Sequence, residues 1–513
     1  MTVILEPAHT HDFAHAIRTV AVIGSGPTGT PAARHLQDAG LKVRLFERQS
    51  QSGGIWNWRP AASLPLSGPT LPPSVGAFTP VFRQSGTYED PDLQRNVSHK
   101  FLADYVHNYA KHFGLDKLAS YNTRVEKAEK VDHKWMLNLR KVVDEGNEKA
   151  REEQWSEEFD AVVVATGHYN APYIPPLNGV DAWAAAWPTK VIHSQGYRVP
   201  EPYEGKTVLL VGIGTSGTDI ARDLDPYVEK TYLVGRNKLR GPPAYQRQRK
   251  LQRFMVSEKG ESVAEIQRFV PPNPGQSIEE AEVELKDGRI LKGISEVIFA
   301  TGYQYSFPFL PRHHSNYQGV RSERAEKHQL VTDGSGVLNL WRDVFYIPDP
   351  PLTLIGLSVN TSAFSFFEYQ SISIARVLSG KAKLPDEATR WANYAQLVKE
   401  KGEGKFSHLL NKDGERSYVR DTVEWLNREA QWSGAELIEG HSFEWLAESD
   451  KMQELFAVKY GITPEQLRQI SEEINAGDGQ DQEAISKDFA TAADETNARA
   501  IEGLARRVGA VKA

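Results

Sequence analysis

The chain of 513 residues contains no cysteine. That excludes structural disulfides, thiolate metal sites and cysteine nucleophiles together. It suits a reducing compartment without demanding one. No run of about 18 apolar residues occurs, so no membrane-spanning helix is expected. The opening "MTVILEPAHTHDFAHAIR" lacks the uninterrupted apolar segment of a secretory signal. Long basic blocks are missing too, and the net charge of −7 argues against a nucleic-acid partner. No metal site is expected. These absences point to a soluble cytoplasmic protein.

What is present reads as globular: 40% hydrophobic and 25% charged residues. The length is too great for one ordinary core and suggests two to four domains. Residues 19–23, "TVAVI", form a β-branched apolar run of the kind buried on both faces of a parallel sheet. A glycine turn, the helical "PAARHLQDAG" and a second strand "LKVRLFE" complete a β-α-β unit. Residues 60–92 are dense in Pro, Gly and Ser and show no period, which marks a functional or mobile connection. "FLADYVHNYAKHFG" returns to an amphipathic helix, and "FDAVVVATG" is another buried strand ending in a glycine turn.

A second β-α-β opening, "KTVLLVGIGTSGTDIARDLDPYVEKTYLVGRN", begins at Lys206. It is followed by "AEVELKDGRILKG", a hairpin turning at Asp287-Gly288. "EVIFATGY" then repeats "AVVVATGH". The two Ala-Thr-Gly turns bracket the second unit, so it is expected to be inserted into the first through two crossing strands. The fold class is therefore α/β, with two dinucleotide-binding Rossmann-like domains and a helical C-terminal extension. The expected division is 1–172 and 295–384 for the first domain, 173–294 for the insert and 385–513 for the extension. That extension is rich in Glu, Lys, Ala, Gln and Leu and carries no catalytic signature.

Gly24, Gly26 and Gly29 form the first GxGxxG. In that motif the first glycine makes the tight turn, the second admits a pyrophosphate to the backbone and the third lets helix and strand pack closely. Glu47 ends the next strand, where it can accept from ribose hydroxyls. Gly212, Gly214 and Gly217 repeat the motif, but Arg236 stands near the place of the acid, with Lys238 and Arg240 beyond it. An arginine there welcomes a 2′-phosphate that a carboxylate would repel. The asymmetry points to FAD or another free-ribose dinucleotide in the first site and NADPH in the second. With no thiol pair to carry electrons onward, oxygen is the obvious acceptor.

The segments "GSGPTG", "FERQSQSGGIWNW", "VVVATGHYNAPYIPPLNG", "KVIHSQGY", "VGIGTSGTDIA" and "VIFATGYQYSFPFL" occur in this order between about Val20 and Gly380. Together they resemble the class B flavin-dependent monooxygenases of the flavin-containing monooxygenase type. The resemblance implies that NADPH reduces FAD, that NADP+ stays bound and that the reduced flavin traps O2 as a C4a-hydroperoxide. That peroxide would oxygenate a soft nucleophile of a small-molecule substrate, nitrogen first and sulfur second. The protein would mainly exclude water and hold the nicotinamide against the flavin.

Carried over by position, Pro27, Arg48, Gly53, Gly54 and Trp56 continue the FAD loop, and Val125 supplies backbone beside the adenine. Thr166 and Gly167, with Thr301 and Gly302, match the linking turns near nicotinamide and flavin. Thr215, Ser216 and Asp219 belong to the second glycine loop, and Glu368 and Gln370 to a helix near the flavin end. The family's identifying motif reads Trp187, Thr189, His193 and Tyr197, fitting in its second half only. The related Baeyer–Villiger enzymes usually carry Trp where Tyr197 stands.

The family's active-site asparagine appears only as Asn96 in "LQRNVS", the candidate catalytic amide. The shortened sequence after it implies an altered substrate wall, suited to a bulky substrate such as an alkaloid-like secondary metabolite. Phe364, Phe366, Phe367 and Tyr369 are either cavity lining or plain core. The extension would cover the site or form a subunit contact in a homo-oligomer. Baeyer–Villiger oxygenation and simple electron relay from NADPH to a protein partner remain the alternatives.

Overall fold

The computed structural model describes residues 13, 15–57, 99–144, 150–235, 245–246, 250, 259–314, 328–402 and 404–450, with four isolated positions beyond. Asn96, Arg236, Lys238 and Arg240 lie outside the described residues, as does the Pro- and Gly-rich stretch 60–92.

The strands Thr19–Ile23 and Ala161–Val164 are buried over almost their whole length, which explains their unbroken apolar sequence. They lie at the centre of a seven-stranded sheet. On one side Lys42–Phe46 and Ala119–Ser120 continue it in parallel. On the other side Leu352–Leu354 pairs in parallel with Ala161–Val164. Phe345–Tyr346 and Leu340–Trp341 then close that edge antiparallel. The helix Gly29–Asp38 buries Ala32, Ala33 and Leu36 against this sheet.

The second sheet is five parallel strands in the order Gly260–Val263, Lys230–Val234, Thr207–Val211, Glu296–Phe299 and Val191–His193. The helix Thr215–Leu224 follows its first glycine turn. Between the two sheets the chain crosses twice, and the crossings pair antiparallel as Ala171–Pro172 with Tyr303–Gln304. The expected boundary at residue 294 is corrected by this pairing. Val208 through Val211 are in register with Glu296 through Phe299, so that strand belongs to the insert and the crossing begins only after it.

The hairpin at Asp287-Gly288 forms as expected, with Gly288 at φ +87° and Val283 opposite Leu291. No motif announces the long meander Thr123–Val131, Lys134–Asp144 and Ala150–Phe159. Its only signal is alternation: Trp135, Leu137 and Leu139 are all buried while their neighbours face outward.

The extension is helical over Glu387–Lys401 and Asn411–Ser433. Asp386 caps the first of these by accepting from the Thr389 N–H at 2.7 Å. The extension packs onto the first sheet. Trp391, Tyr394, Val398, Trp425 and Leu426 share one core with Val20, Ala33 and Leu36. The Trp341 and Trp425 rings meet edge to face at 5.1 Å. Among the described residues no helix is long and apolar enough to cross a membrane.

Candidate functional site

The two glycine turns are built alike. Gly24 has φ +104° and Gly212 φ +102°, and their N–H groups donate at 2.8 Å to Phe46 and Val234. A Cβ on Gly24 would lie 2.5 Å from the Ala165 oxygen, and one on Gly212 2.5 Å from the Ala300 oxygen. A Cβ on Gly29 or Gly217 would lie 1.8 or 1.9 Å from the Gly24 or Gly212 oxygen. Ala165 and Ala300 are the alanines of the two Ala-Thr-Gly turns. Those turns recur because each supplies a small residue and a carbonyl that only a glycine turn can approach.

The first cradle has a floor without side chains. The Gly53 N–H donates to the Ser25 oxygen at 2.9 Å, folding the next loop back over the turn. Gly26 and Gly54 then face each other, and a Cβ on Gly54 would come within 3.0 Å of the Gly26 Cα. Bare backbone at a helix N-terminus is what a pyrophosphate requires. Glu47 is buried, its Oε2 accepting from the Ser25 N–H and its Oε1 from the Gln49 N–H, both at 2.8 Å. A carboxylate has about four acceptor sites, so two remain for ribose hydroxyls. Val125 sits just before a β-bulge in its strand, close to the chain end of Glu47, whose carbonyl accepts from Thr123 N–H. These residues fit a free-ribose dinucleotide.

The second cradle offers the N-terminus of Thr215–Leu224, with Thr215 and Ser216 in its first turn. Asp219 pairs with Arg222 within that helix. Tyr197 is 0% exposed and donates to Asp223 Oδ2 at 2.6 Å. It braces this helix through Asp223.

His193 is bound within the protein through both ring nitrogens. It is 5% exposed, and its Nδ1 accepts from the Gln195 N–H at 3.1 Å, so its Nε2 carries the proton and donates to the Gly302 oxygen at 3.0 Å. Both nitrogens are used within the protein, and burial pushes its pKa down to about 4. The residue locks the second Ala-Thr-Gly turn. At the same junction Thr301 donates to the Tyr173 oxygen, and the Tyr173 N–H to the Gly302 oxygen at 2.9 Å.

Asn170 was not legible as a functional residue, although it follows "ATGHY" directly. Its Oδ1 accepts from Arg48 Nη2 at 2.8 Å and its Nδ2 donates to the Thr166 oxygen at 3.0 Å. Its own carbonyl accepts from Gln195 Nε2 at 3.3 Å. One residue, through its side-chain amide and its own carbonyl, thus ties the FAD loop, the first linking turn and the insert together. Thr166 and Gly167 (φ +66°) and Thr301 and Gly302 (φ +85°) are brought to this one junction.

Gln370 is fully buried and accepts from the Gly356 N–H at 3.2 Å. The aromatic run divides. Phe366 is core, while Phe364 lines a shallow cleft with Pro27, Pro31, Tyr105 and Glu368. Trp56 stacks toward Phe364 at 6.2 Å between ring centroids. Glu368 accepts from Tyr109 at 2.7 Å and meets His35 Nε2 at 2.5 Å. Burial opposes its charge, but His35, Tyr109 and Arg34 outweigh burial and hold its carboxyl below the usual range.

Comparisons with known proteins agree with this geometry. The family model described as flavin-binding monooxygenase-like matches residues 17–239 and 273–429. The flavin-containing monooxygenase iboF of Amanita muscaria is 32% identical over 491 residues, covering 83% of this chain and 91% of its own. The flavin-containing monooxygenase ustF2 of Aspergillus flavus is 30% identical, covering 85% and 97%. Among solved structures, S-allyl-L-cysteine S-oxygenase from Allium sativum superposes with a TM-score of 0.61 at 25% identity, covering 90% of this chain and 99% of that one. Two like cradles joined at their Ala-Thr-Gly turns, and a family match over most of the chain, make this protein a member of the flavin-binding monooxygenase-like family, whose cofactors are FAD and NADPH.

Proposed function

We propose that the chain is an NADPH- and O2-dependent monooxygenase that oxygenates a soft heteroatom, nitrogen or sulfur, of a small organic molecule. The observation that carries the reading is the junction at Asn170, where Arg48, Thr166 and Gln195 join the two cradles through hydrogen bonds of 2.8, 3.0 and 3.3 Å. Likeness to an S-oxygenase brings sulfur level with nitrogen.

When bound, the nicotinamide supplies hydride and the flavin supplies oxygen activation. In the net reaction one oxygen atom joins the heteroatom. The other leaves as water with the two electrons of NADPH and two protons. The chain's own share is to hold and to seal. Gly26 and Gly54 hold the first pyrophosphate, Glu47 the first ribose, and the Thr215 helix N-terminus the second nucleotide. His193 and Asn170 fix the junction between them, and Phe364, Trp56 and Tyr105 limit water entry.

The test is product analysis under 18O2 with NADPH and panels of amines, thioethers and ketones. N- or S-oxides carrying one labelled oxygen are expected. Labelled esters from ketones would assign Baeyer–Villiger chemistry instead. NADPH-reducible flavin that forms no labelled product but reduces a protein acceptor would assign electron relay.

A further inference from the structure

We propose that His408, carried by the segment after helix Glu387–Lys401, is a positioning residue for the loop at residues 356–362 beside the flavin site. The loop lies where the parallel sheet delivers its ligand, at the carboxyl end of Leu352–Leu354. Gly356 (φ +78°) packs so closely on the first glycine turn that a Cβ there would be 2.4 Å from Thr28 Cγ2. Its carbonyl accepts from His168 Nδ1 at 3.1 Å, just behind the first linking turn.

From this point the loop has three anchors, and His408 belongs to each. First, Ser358 Oγ donates to Asp343 Oδ2 at 3.0 Å, and Asp343 Oδ1 is 3.0 Å from His408 Nδ1. The Val337 N–H donates to His408 Nε2 at 2.8 Å, so the imidazole proton must sit on Nδ1 and point at Asp343. Second, Tyr305 donates its hydroxyl to the Leu357 oxygen at 2.9 Å while its ring lies 5.0 Å from the His408 ring. Third, the Val359 N–H donates to the His408 carbonyl at 2.8 Å, and the Leu410 N–H to the Val359 oxygen at 3.2 Å. His408 and Asp343 are both buried, so these anchors do not compete with water.

A side chain with its ring and both nitrogens engaged touches no reacting atom. It acts through Ser358, Leu357 and Val359, and it gives the C-terminal helices a part in the site. A loose loop would admit water and let reduced flavin release hydrogen peroxide in place of oxygenated product. That consequence rests on the monooxygenase reading above.

The experiment compares full-length FAD-loaded protein in five forms: wild type, S358A, Y305F, H408A and V398A. The last weakens the core beneath helix Glu387–Lys401 and removes none of the loop's hydrogen bonds. Hydrogen peroxide released per NADPH oxidised is read beside the melting temperature. S358A and Y305F each remove one bond and remain informative where H408A fails to fold. A three- to fivefold rise in peroxide leak is expected in both, about the scale of one hydrogen bond, with V398A at the wild-type level. Leak unchanged in both loop variants, or equal leak in V398A at the same loss of melting temperature, would overturn the positioning role. Wild type that yields no oxygenated product from any panel would refute the proposed function instead, a separable outcome.

Discussion

The ring of His193 and the carbonyl of Gly302 meet at 3.0 Å, so the second linking turn is held by a histidine whose other nitrogen is already occupied by the Gln195 N–H. Replacing His193 by Ala leaves the buried Gln195 N–H without its acceptor and the Gly302 carbonyl with the Tyr173 N–H alone. Removing one partner of a buried hydrogen bond costs about 1–3 kcal/mol. We expect anaerobic flavin reduction by NADPH to slow about tenfold in H193A, with FAD content retained. Rapid-mixing absorbance checks both.

Burial pushes His168, His193 and His313 each down to about 4, from an ordinary value near 6.5. The unfolded chain therefore binds protons that the folded chain refuses. Stability from this source is complete above pH 6.5 and is lost as pH falls toward 4. Each histidine contributes about 1.4 kcal/mol per pH unit in that window. A melting temperature that is flat between pH 7 and pH 5 would contradict the burial of these rings.

The glycines divide by what surrounds them. Gly29→Ala places a Cβ 1.8 Å from the Gly24 oxygen and should lower the melting temperature sharply. Gly26→Ala meets only the Gly54 backbone, at 3.5 Å from Cα and 3.9 Å from N, and should fold normally. Loss of FAD from G26A without loss of stability is expected, measured by flavin absorbance per protein and thermal unfolding.

Tyr197→Phe deletes the 2.6 Å bond to Asp223 behind the second cradle. The expected cost is about 1–3 kcal/mol, together with a raised KM for NADPH and an unchanged FAD content. Calorimetry and steady-state kinetics separate these effects.

The charge pattern after "TYLV" predicts the choice of nucleotide. Arg236→Ala should lower the preference for NADPH over NADH about tenfold, the scale of one lost phosphate contact. An unchanged ratio of kcat/KM values would remove Arg236 from the phosphate site.

Both glycine turns, both Ala-Thr-Gly turns and the insertion were legible because close backbone approach dictates residue type locally. Gly24, Gly29 and Ala165 answer to one another within a few ångströms. The roles of His193 and Tyr197 were not legible, since a motif says that a residue matters but not which way its side chain faces. Asn170 was missed for a related reason: its three bonds reach residues far apart in the chain. The meander carried only alternation, and the alliance of Trp425 with Trp341 depends on packing between segments that no local pattern links.

That alliance has a consequence for how the protein is made. The first sheet needs Thr19–Ile23 from one end of the chain and Leu352–Leu354 from near the other, and its core is completed only by Trp391 and Trp425. The insert finds all its strands between Val191 and Phe299. On a ribosome the insert can therefore close while the first unit still lacks Leu352–Leu354, Trp391 and Trp425. Chaperone dependence should track that interval, and the insert should fold before the unit that encloses it.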